Sequence, residues 1–168
     1  GDQARIVQQH AVNMVQASPT LGEYFNVHKS TLTISVEETN SKMKVLSSEN
    51  LRTQKAKEGL NGSCGIDEIH VVDEEYVRRI ARMGISRAEP MMIQVTTAGD
   101  DPLSYGKKRY DYGKRVESGE FPNDSFFFDW HEAPQDLDPK DLADDPVKYG
   151  KMANPSWGHT VGGDEYIA

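Results

Sequence analysis

The sequence predicts an α/β fold in which a mostly parallel sheet is flanked by helices. Small and apolar residues run from position 63 into the acids Asp67 and Glu68, and a second apolar stretch, residues 91–95, runs into Thr96. One helical segment separates the two stretches, which makes a βαβ unit with parallel strands. Two shorter alternating segments nearer the amino terminus predict an antiparallel hairpin beside this sheet.

The amino-terminal elements follow from apolar spacing. Apolar residues recur at three- and four-residue steps over residues 3–17, which predicts an amphipathic helix that Ser18 and Pro19 end. A short helical turn is expected over residues 21–25. The hairpin strands are residues 31–36, which alternate between polar and apolar, and residues 43–46, joined by a polar turn.

The later elements are marked by caps and breakers. Asp73 is the expected N-cap of a helix that runs to Met83 and ends at Gly84. A further helix is expected from residue 100 to 117, because Pro102 suits a first turn. Residues 125–130 are strongly apolar and predict a strand, and residues 138–149 predict one more helix.

The two acids suggest a specific chemistry. Burying two carboxylates is costly, so Asp67 and Glu68 should lie at the carboxyl end of their strand, where open α/β sheets bind ligands. In phosphoryl-transfer ATPases one such acid holds magnesium and its neighbour orients the attacking water. We assign Asp67 to magnesium and Glu68 to the water. By itself the pattern also fits a strand that ends in a solvated turn.

Composition narrows the possible functions. The net charge of −8 disfavours non-specific binding to a phosphate backbone, which depends on lysine and arginine. No apolar run approaches the roughly 20 residues of a membrane span, so no membrane partner is expected. Cys64 is the only cysteine, which excludes an intrachain disulfide, and it should pack in the core.

A phosphate-binding loop is missing from the sequence. Its form is Gly, four residues, Gly-Lys and Ser or Thr, and the nearest match, from Gly99 to Gly106, has the wrong spacing. The chain therefore carries one half of an ATP site. Alone, it should bind ATP weakly and hydrolyse it negligibly.

Several motifs, in this order and over nearly the whole chain, resemble the large terminase subunit of tailed bacteriophages. They are Gly59-Leu60-Asn61, Ile66-Asp67-Glu68-Ile69-His70, Arg87-Ala88-Glu89-Pro90, Thr96-Thr97-Ala98-Gly99, Asp124-Ser125-Phe126-Phe127 and Ala153-Asn154-Pro155-Ser156-Trp157-Gly158.

The resemblance implies an incomplete RecA-like (ASCE) ATPase domain over residues 1–150 and, over residues 151–168, a linker toward a nuclease domain. Such subunits drive double-stranded DNA into a procapsid, in the cytoplasm of the infected bacterium. The cofactors implied are ATP and Mg²⁺. The partners implied are a chain with the missing loop or nuclease domain, the portal, the small terminase and double-stranded DNA.

The resemblance also implies roles for individual residues. Asp67 would be the magnesium-associated acid and Glu68 the catalytic glutamate. A coupling motif would relay the nucleotide state to DNA movement, and its residues are Thr96, Thr97, Ala98 and Gly99. Arg52 and Arg87 are candidates for an arginine finger, but no spacing fixes either of them, and a structural salt bridge is favoured for both.

Two other interpretations remain open. Asp67-Glu68-Ile69-His70 has the Asp-Glu-x-His form of an SF2-type helicase, and the chain could be a fragment of one. Alternatively, it could be a non-catalytic interaction module that acts only in assembly. A histidine metal centre is disfavoured, because His70, His131 and His159 lack metal-ligand spacing.

Overall fold

The computed structural model divides into two compact units, residues 1–109 and 110–168. The predicted loops within residues 47–61, and Arg52 with them, lie outside the part of the chain that is described. The predicted limits of 1–150 and 151–168 stay a prediction. The structure describes residues 2–31, 33–46, 62–84, 87–159 and 162.

The described residues form helices and short strands. The helices are α1 (Asp2–Ala17), α2 (Pro19–Tyr24), α3 (Glu74–Met83), α4 (Tyr105–Glu117), α5 (Pro139–Asp144) and α6 (Pro146–Ala153), and the strands are β1 (Asn26–His28), β2 (Thr33–Val36), β3 (Ser41–Lys44), β4 (Cys64–Ile66) and β5 (Met92–Gln94).

The predicted hairpin forms and gains a third strand. β2 and β3 pair antiparallel, and β1, which the sequence did not predict, pairs antiparallel with the other edge of β2. Ile34 on β2 is buried with Val12 and Val15 of α1. Val15 belongs to the three- and four-residue spacing that predicted the helix, but Val12 does not, and Val7 and Met14 of that spacing are exposed. The helix is therefore confirmed, and the face that it packs on this small sheet differs in part from the predicted one.

The predicted βαβ unit is confirmed as a two-stranded parallel sheet of β4 and β5. The N–H of Cys64 donates to the carbonyl of Met91 at 2.9 Å, and the N–H of Val95 donates to the carbonyl of Ile66 at 3.0 Å. Because the strands are parallel, both end at the same edge. In the described residues, then, the strands form one antiparallel and one parallel sheet rather than a single, mostly parallel sheet.

Helix α3 is bounded as the sequence predicted. The Asp73 side chain accepts a hydrogen bond from the N–H of Glu75 at 2.7 Å, and Gly84 is the C-cap. On the inner face, Val77 and Ile80 are buried against two residues of the β4 segment, Ile66 and Ile69. Cys64 packs against the same cluster, as expected, and burial raises the pKa of its thiol.

The prediction of a strand over residues 125–130 is wrong for the described chain. Ser125 lies in a turn and residues 126–130 have no regular secondary structure. The rings of Phe126, Phe128 and Trp130 stack in sequence, with 4.8 Å between the centroids of the last two. Phe127 between them is 89% exposed. The alternation of a strand is therefore present, but no described strand pairs with the segment, and ring packing holds it instead.

The prediction of one helix over residues 138–149 is also wrong. Two helices, α5 and α6, meet at Asp145 and Pro146. Proline disfavours helical geometry in the residue before it, and Asp145 accordingly has φ −141° and ψ 66°. Helix α4 begins at Tyr105 rather than near residue 100, because the Asp101 side chain accepts the N–H of Leu103 at 2.8 Å in a preceding turn. No helix of the described ranges combines the length and apolarity that a membrane crossing requires.

Candidate functional site

Of the acids and hydroxyls that the sequence placed together, Glu68 and Thr97 make contact at one edge of the parallel sheet. Glu68 comes two residues after β4, and its carboxylate Oε2 accepts the Thr97 hydroxyl at 3.3 Å and the Thr97 N–H at 3.4 Å. The cause is the strand register, which ties Val95 to Ile66 and so aligns the ends of the two strands. Glu68 and Thr97 lie 29 residues apart in sequence, so this contact depends wholly on the fold.

The chain turns sharply at Glu68. This residue has φ +54°, in the left-handed region that a side chain other than glycine rarely adopts. Oδ1 of Asp67 accepts the N–H of Glu68 at 2.9 Å, and the carbonyl of Glu68 accepts the N–H of Val71 at 3.1 Å. Beyond the turn Ile69 is buried in the core cluster with Ile66 and Val77, so its side chain anchors the turn to the core. The left-handed region costs roughly 1–2 kcal/mol for an L-residue, and such strain is concentrated at functional sites.

His70 belongs to the site, which the sequence did not reveal. Its ring Nδ1 lies 2.7 Å from the hydroxyl of Thr96 and 3.1 Å from Oε2 of Glu68. Its backbone N–H also donates to the Thr96 hydroxyl at 3.3 Å. The Asp-Glu-x-His spacing was the available signal, but it does not show that the turn at Glu68 brings the ring back over the neighbouring strand.

The rest of the predicted coupling motif passes beside His70. Ala98 and Gly99 are exposed, and a Cβ built on Gly99 would lie 2.9 Å from Cβ of His70. An open cleft of about 500 Å³ adjoins this segment, with His70, Gly99 and Lys108 among its lining residues. Thr96 and Thr97 therefore make the polar contacts of the motif, and Gly99 provides the close approach.

An ion pair joins α3 to α4 at the rim of this cleft. Nζ of Lys108 lies 2.7 Å from Oε2 of Glu74, and the guanidinium of Arg78 lies 2.7 Å from Oε1 of the same residue. Hydrogen bonds from Lys108 and then from Arg78 lower the pKa of the Glu74 carboxyl. Because Lys108 is paired with Glu74, it adds little unpaired positive charge to the cleft.

The residues at the edge fit a magnesium nucleotide but not a metal held by protein alone. No cluster of three or more acids, histidines or cysteines within the described ranges could hold a metal ion. Magnesium in nucleotide sites is held by one or two carboxylates together with phosphates and water, so one exposed carboxylate suffices. Asp67 is exposed and lies beside Glu68, which fits this role.

Two other candidates from the sequence, Arg87 and His131, lie at exposed positions. Arg87 lies in an exposed turn after α3, where its N–H donates to the carbonyl of Gly84 at 2.9 Å. His131 is exposed, with its Nε2 3.7 Å from Asp129.

Among solved structures, the chain is similar to the large terminase of bacteriophage HK97. The TM-score is 0.77 over 99% of this chain at 24% sequence identity. The chain spans about a third of the length of that terminase, 33%. No protein-family model matches the chain, and no curated protein sequence does so either. The resemblance to large terminases is therefore confirmed in the fold.

Proposed function

We propose that this chain contributes the acidic half of an ATPase site to a viral DNA-packaging motor of the large terminase kind. The contact of Glu68 with Thr97 across the ends of two parallel strands is the observation that carries this proposal. It joins a candidate catalytic acid to a candidate coupling residue, within a fold similar to that of a phage terminase. The parallel pair of β4 and β5 would then belong to a RecA-like sheet.

The roles of the chain's own residues follow from their positions. Asp67 would hold the magnesium of the nucleotide through water, and the ion, when bound, neutralises phosphate charge. Glu68 would orient the attacking water and accept a hydrogen bond from it. Thr97 contacts the carboxylate of Glu68. A movement of Glu68 would therefore first displace Thr97 and the segment that leads from it to α4.

The site requires a phosphate-binding loop from outside these 168 residues, because none of the required form is present. We propose that this loop is carried either by a further segment of the same protein or by a partner polypeptide, with a nuclease domain in the same assembly. By the same reasoning the assembly would act with a portal and a small terminase on double-stranded DNA, in the cytoplasm of an infected bacterium. Most of the DNA-binding surface should lie on those partners, because this chain has a net charge of −8 and binding to phosphates depends on positive charge.

Reconstitution tests the proposal. The coding region immediately upstream should be searched for a Gly-x-x-x-x-Gly-Lys-Thr segment, and its product should be mixed with this chain. We expect ATP hydrolysis by the mixture, stimulated by double-stranded DNA, and negligible hydrolysis by either polypeptide alone. A mixture that forms a stable complex but never hydrolyses ATP would contradict the proposal and favour the non-catalytic assembly module. Strand separation by the active mixture would favour a helicase instead.

A further inference from the structure

We propose that His70 is a positioning residue that fixes the carboxylate of Glu68 through the proton on its ring Nδ1. What Glu68 does with that orientation rests on the proposed function. The hydrogen bonds and the packing around the ring do not depend on it, and they are the observations from which the proposal is argued.

The hydrogen-bond partners assign the proton to Nδ1. The hydroxyl of Thr96 donates to the carbonyl of Thr97 at 2.8 Å, so its oxygen faces His70 as an acceptor. That oxygen already accepts the backbone N–H of His70. Oε2 of Glu68, 3.1 Å from Nδ1, is a carboxylate oxygen and accepts as well. With acceptors on both sides, Nδ1 must be the protonated nitrogen.

The space around His70 is limited by two glycines, Gly99 beside its ring and Gly106 beside its backbone. A Cβ on Gly99 would lie 2.9 Å from Cβ and 3.1 Å from Cδ2 of His70. A Cβ on Gly106, in the first turn of α4, would lie 2.9 Å from Cα of His70. Real Cβ atoms are not found so close to other atoms, so both positions leave room for His70 only because they are glycine. The residue is held between the coupling segment and the start of α4.

This arrangement has a consequence for the acid. The donors that the described residues bring to the Glu68 carboxylate are the Thr97 hydroxyl, the Thr97 N–H and Nδ1 of His70, and all reach Oε2. Oε1 is therefore the oxygen that we assign to the attacking water. The two Thr97 contacts are long, at 3.3 and 3.4 Å, and the shorter contact comes from His70. Loss of this donor should loosen the orientation of the acid while leaving the acid itself in place.

Three substitutions separate positioning from packing. In His70→Asn the amide nitrogen stands the same number of bonds from Cβ as Nδ1 and can replace its donor. In His70→Gln the amide nitrogen stands where Nε2 would, and in His70→Ala the donor is absent. For the reconstituted ATPase we expect His70→Ala and His70→Gln to lower kcat about tenfold to 100-fold, and His70→Asn to stay within about threefold of the original. The KM for ATP should change by less than about twofold. His131→Ala, at an exposed histidine, is the matched control and should change nothing.

The same proposal has a readout that needs no ATP. Ring-nitrogen NMR spectra of the full chain with labelled histidine should show Nδ1 of His70 as the protonated, pyrrole-type nitrogen. The Thr96→Val variant should shift the signals of this ring. A pyridine-type Nδ1 would overturn the proposal. Equal kcat values for His70→Asn and His70→Gln would also overturn it, because they would mean that the position of the N–H donor does not matter.

Failure of the proposed function looks different. If the mixture hydrolyses ATP equally well with Glu68→Gln, the ATPase role of this acid is wrong, whatever the NMR spectra show. The positioning of Glu68 by His70 is then judged on the NMR result alone: a pyrrole-type Nδ1 that responds to Thr96→Val supports it, and a pyridine-type Nδ1 removes it.

Discussion

The positive φ of Glu68 makes a prediction about stability that can be separated from any activity. Replacing Glu68 by glycine removes a side chain from a backbone position at φ +54°, which glycine occupies without steric cost. Replacing its neighbour Asp67 by glycine removes a carboxylate from the same turn, at a residue whose φ is not positive. The two variants therefore differ mainly in whether backbone strain is relieved.

The size of the difference can be worked out from the contacts. Each substitution gives the unfolded chain more freedom, which costs roughly 0.5–1 kcal/mol. Each also loses hydrogen bonds: the Asp67 bond to an N–H at 2.9 Å, or the Glu68 bonds to Thr97 at 3.3 and 3.4 Å and to His70. Glu68 loses more contacts, but its two bonds to Thr97 are long and exposed and therefore weaker than the Asp67 bond, so the totals largely cancel in the comparison. What remains is the relief of the left-handed strain, roughly 1–2 kcal/mol.

Urea unfolding followed by far-ultraviolet circular dichroism measures this difference. We expect Glu68→Gly to retain about 1–2 kcal/mol more free energy of unfolding than Asp67→Gly. A third variant, Glu68→Asn, should also have a higher free energy of unfolding than Asp67→Gly, because asparagine tolerates the left-handed region. If both glycine variants lose the same free energy, or if Glu68→Gly is the less stable, the inference of a strained acid is refuted.

Three further predictions concern packing and titration. Gly106→Ala should lower the free energy of unfolding by about 1–2 kcal/mol, because the new Cβ would meet the backbone of His70 at 2.9 Å. We expect this loss although alanine is the better helix former. The control Gly65→Ala, whose Cβ would have no atom within 4 Å, should change the free energy of unfolding by less than about 0.5 kcal/mol. Burial, followed by the hydrogen bond to Glu132, raises the pKa of Tyr110 to about 12 from 10.0, so the chain should lose stability as the pH rises between these values. A shift of two pKa units corresponds to about 2.7 kcal/mol of stability, which solvent screening reduces to about 1 kcal/mol. The Tyr110→Phe variant should not show this alkaline loss of stability when urea unfolding is measured over the same pH range. Burial alone would raise the pKa of the Glu132 carboxyl, but hydrogen bonds from its neighbours outweigh burial and lower it. Glu132→Gln should therefore lower the free energy of unfolding by about 1–2 kcal/mol at neutral pH. The loss should become smaller as the pH falls through the pKa of Glu132, because the original chain then loses the same charge.

The sequence was a good guide wherever local chemistry decides the structure. Helix α3 begins after Asp73 and ends at Gly84, as its capping residues indicated. The hairpin turn contains Asn40 at φ +51°, a conformation that asparagine tolerates better than most residues. The pairing of the two apolar strands also followed, because one intervening helix requires parallel strands.

The site was predictable in its members but not in its geometry. The apolar residues after Glu68 satisfy the pattern of a longer strand, yet Ile69 is buried beside a tight turn instead. Only that turn gives Glu68 its positive φ and carries His70 across to Thr96. No periodicity encodes this, since the contacts join residues 26 apart in the chain.

The aromatic segment shows a second limit of reasoning from pattern. Residues 125–130 alternate as a strand does, but pairing depends on a neighbouring strand, and none of the described residues provides one. Ring stacking of Phe128 on Trp130, and the edge contact of Tyr110 with Phe128 at 6.0 Å, hold the segment in its place. Gly113 contributes room, because a Cβ there would clash with the Phe128 ring.

The most direct test of the whole account is the rate of ATP hydrolysis by the reconstituted mixture with Glu68→Gln in this chain. This substitution keeps the size of the side chain and removes the carboxylate that would orient the water. We predict a kcat lower by about 10²- to 10⁴-fold, with Glu117→Gln, an exposed acid at the end of α4, unchanged as the control. Equal turnover by the Glu68→Gln mixture and the original would contradict the assignment of this sheet edge to ATP hydrolysis.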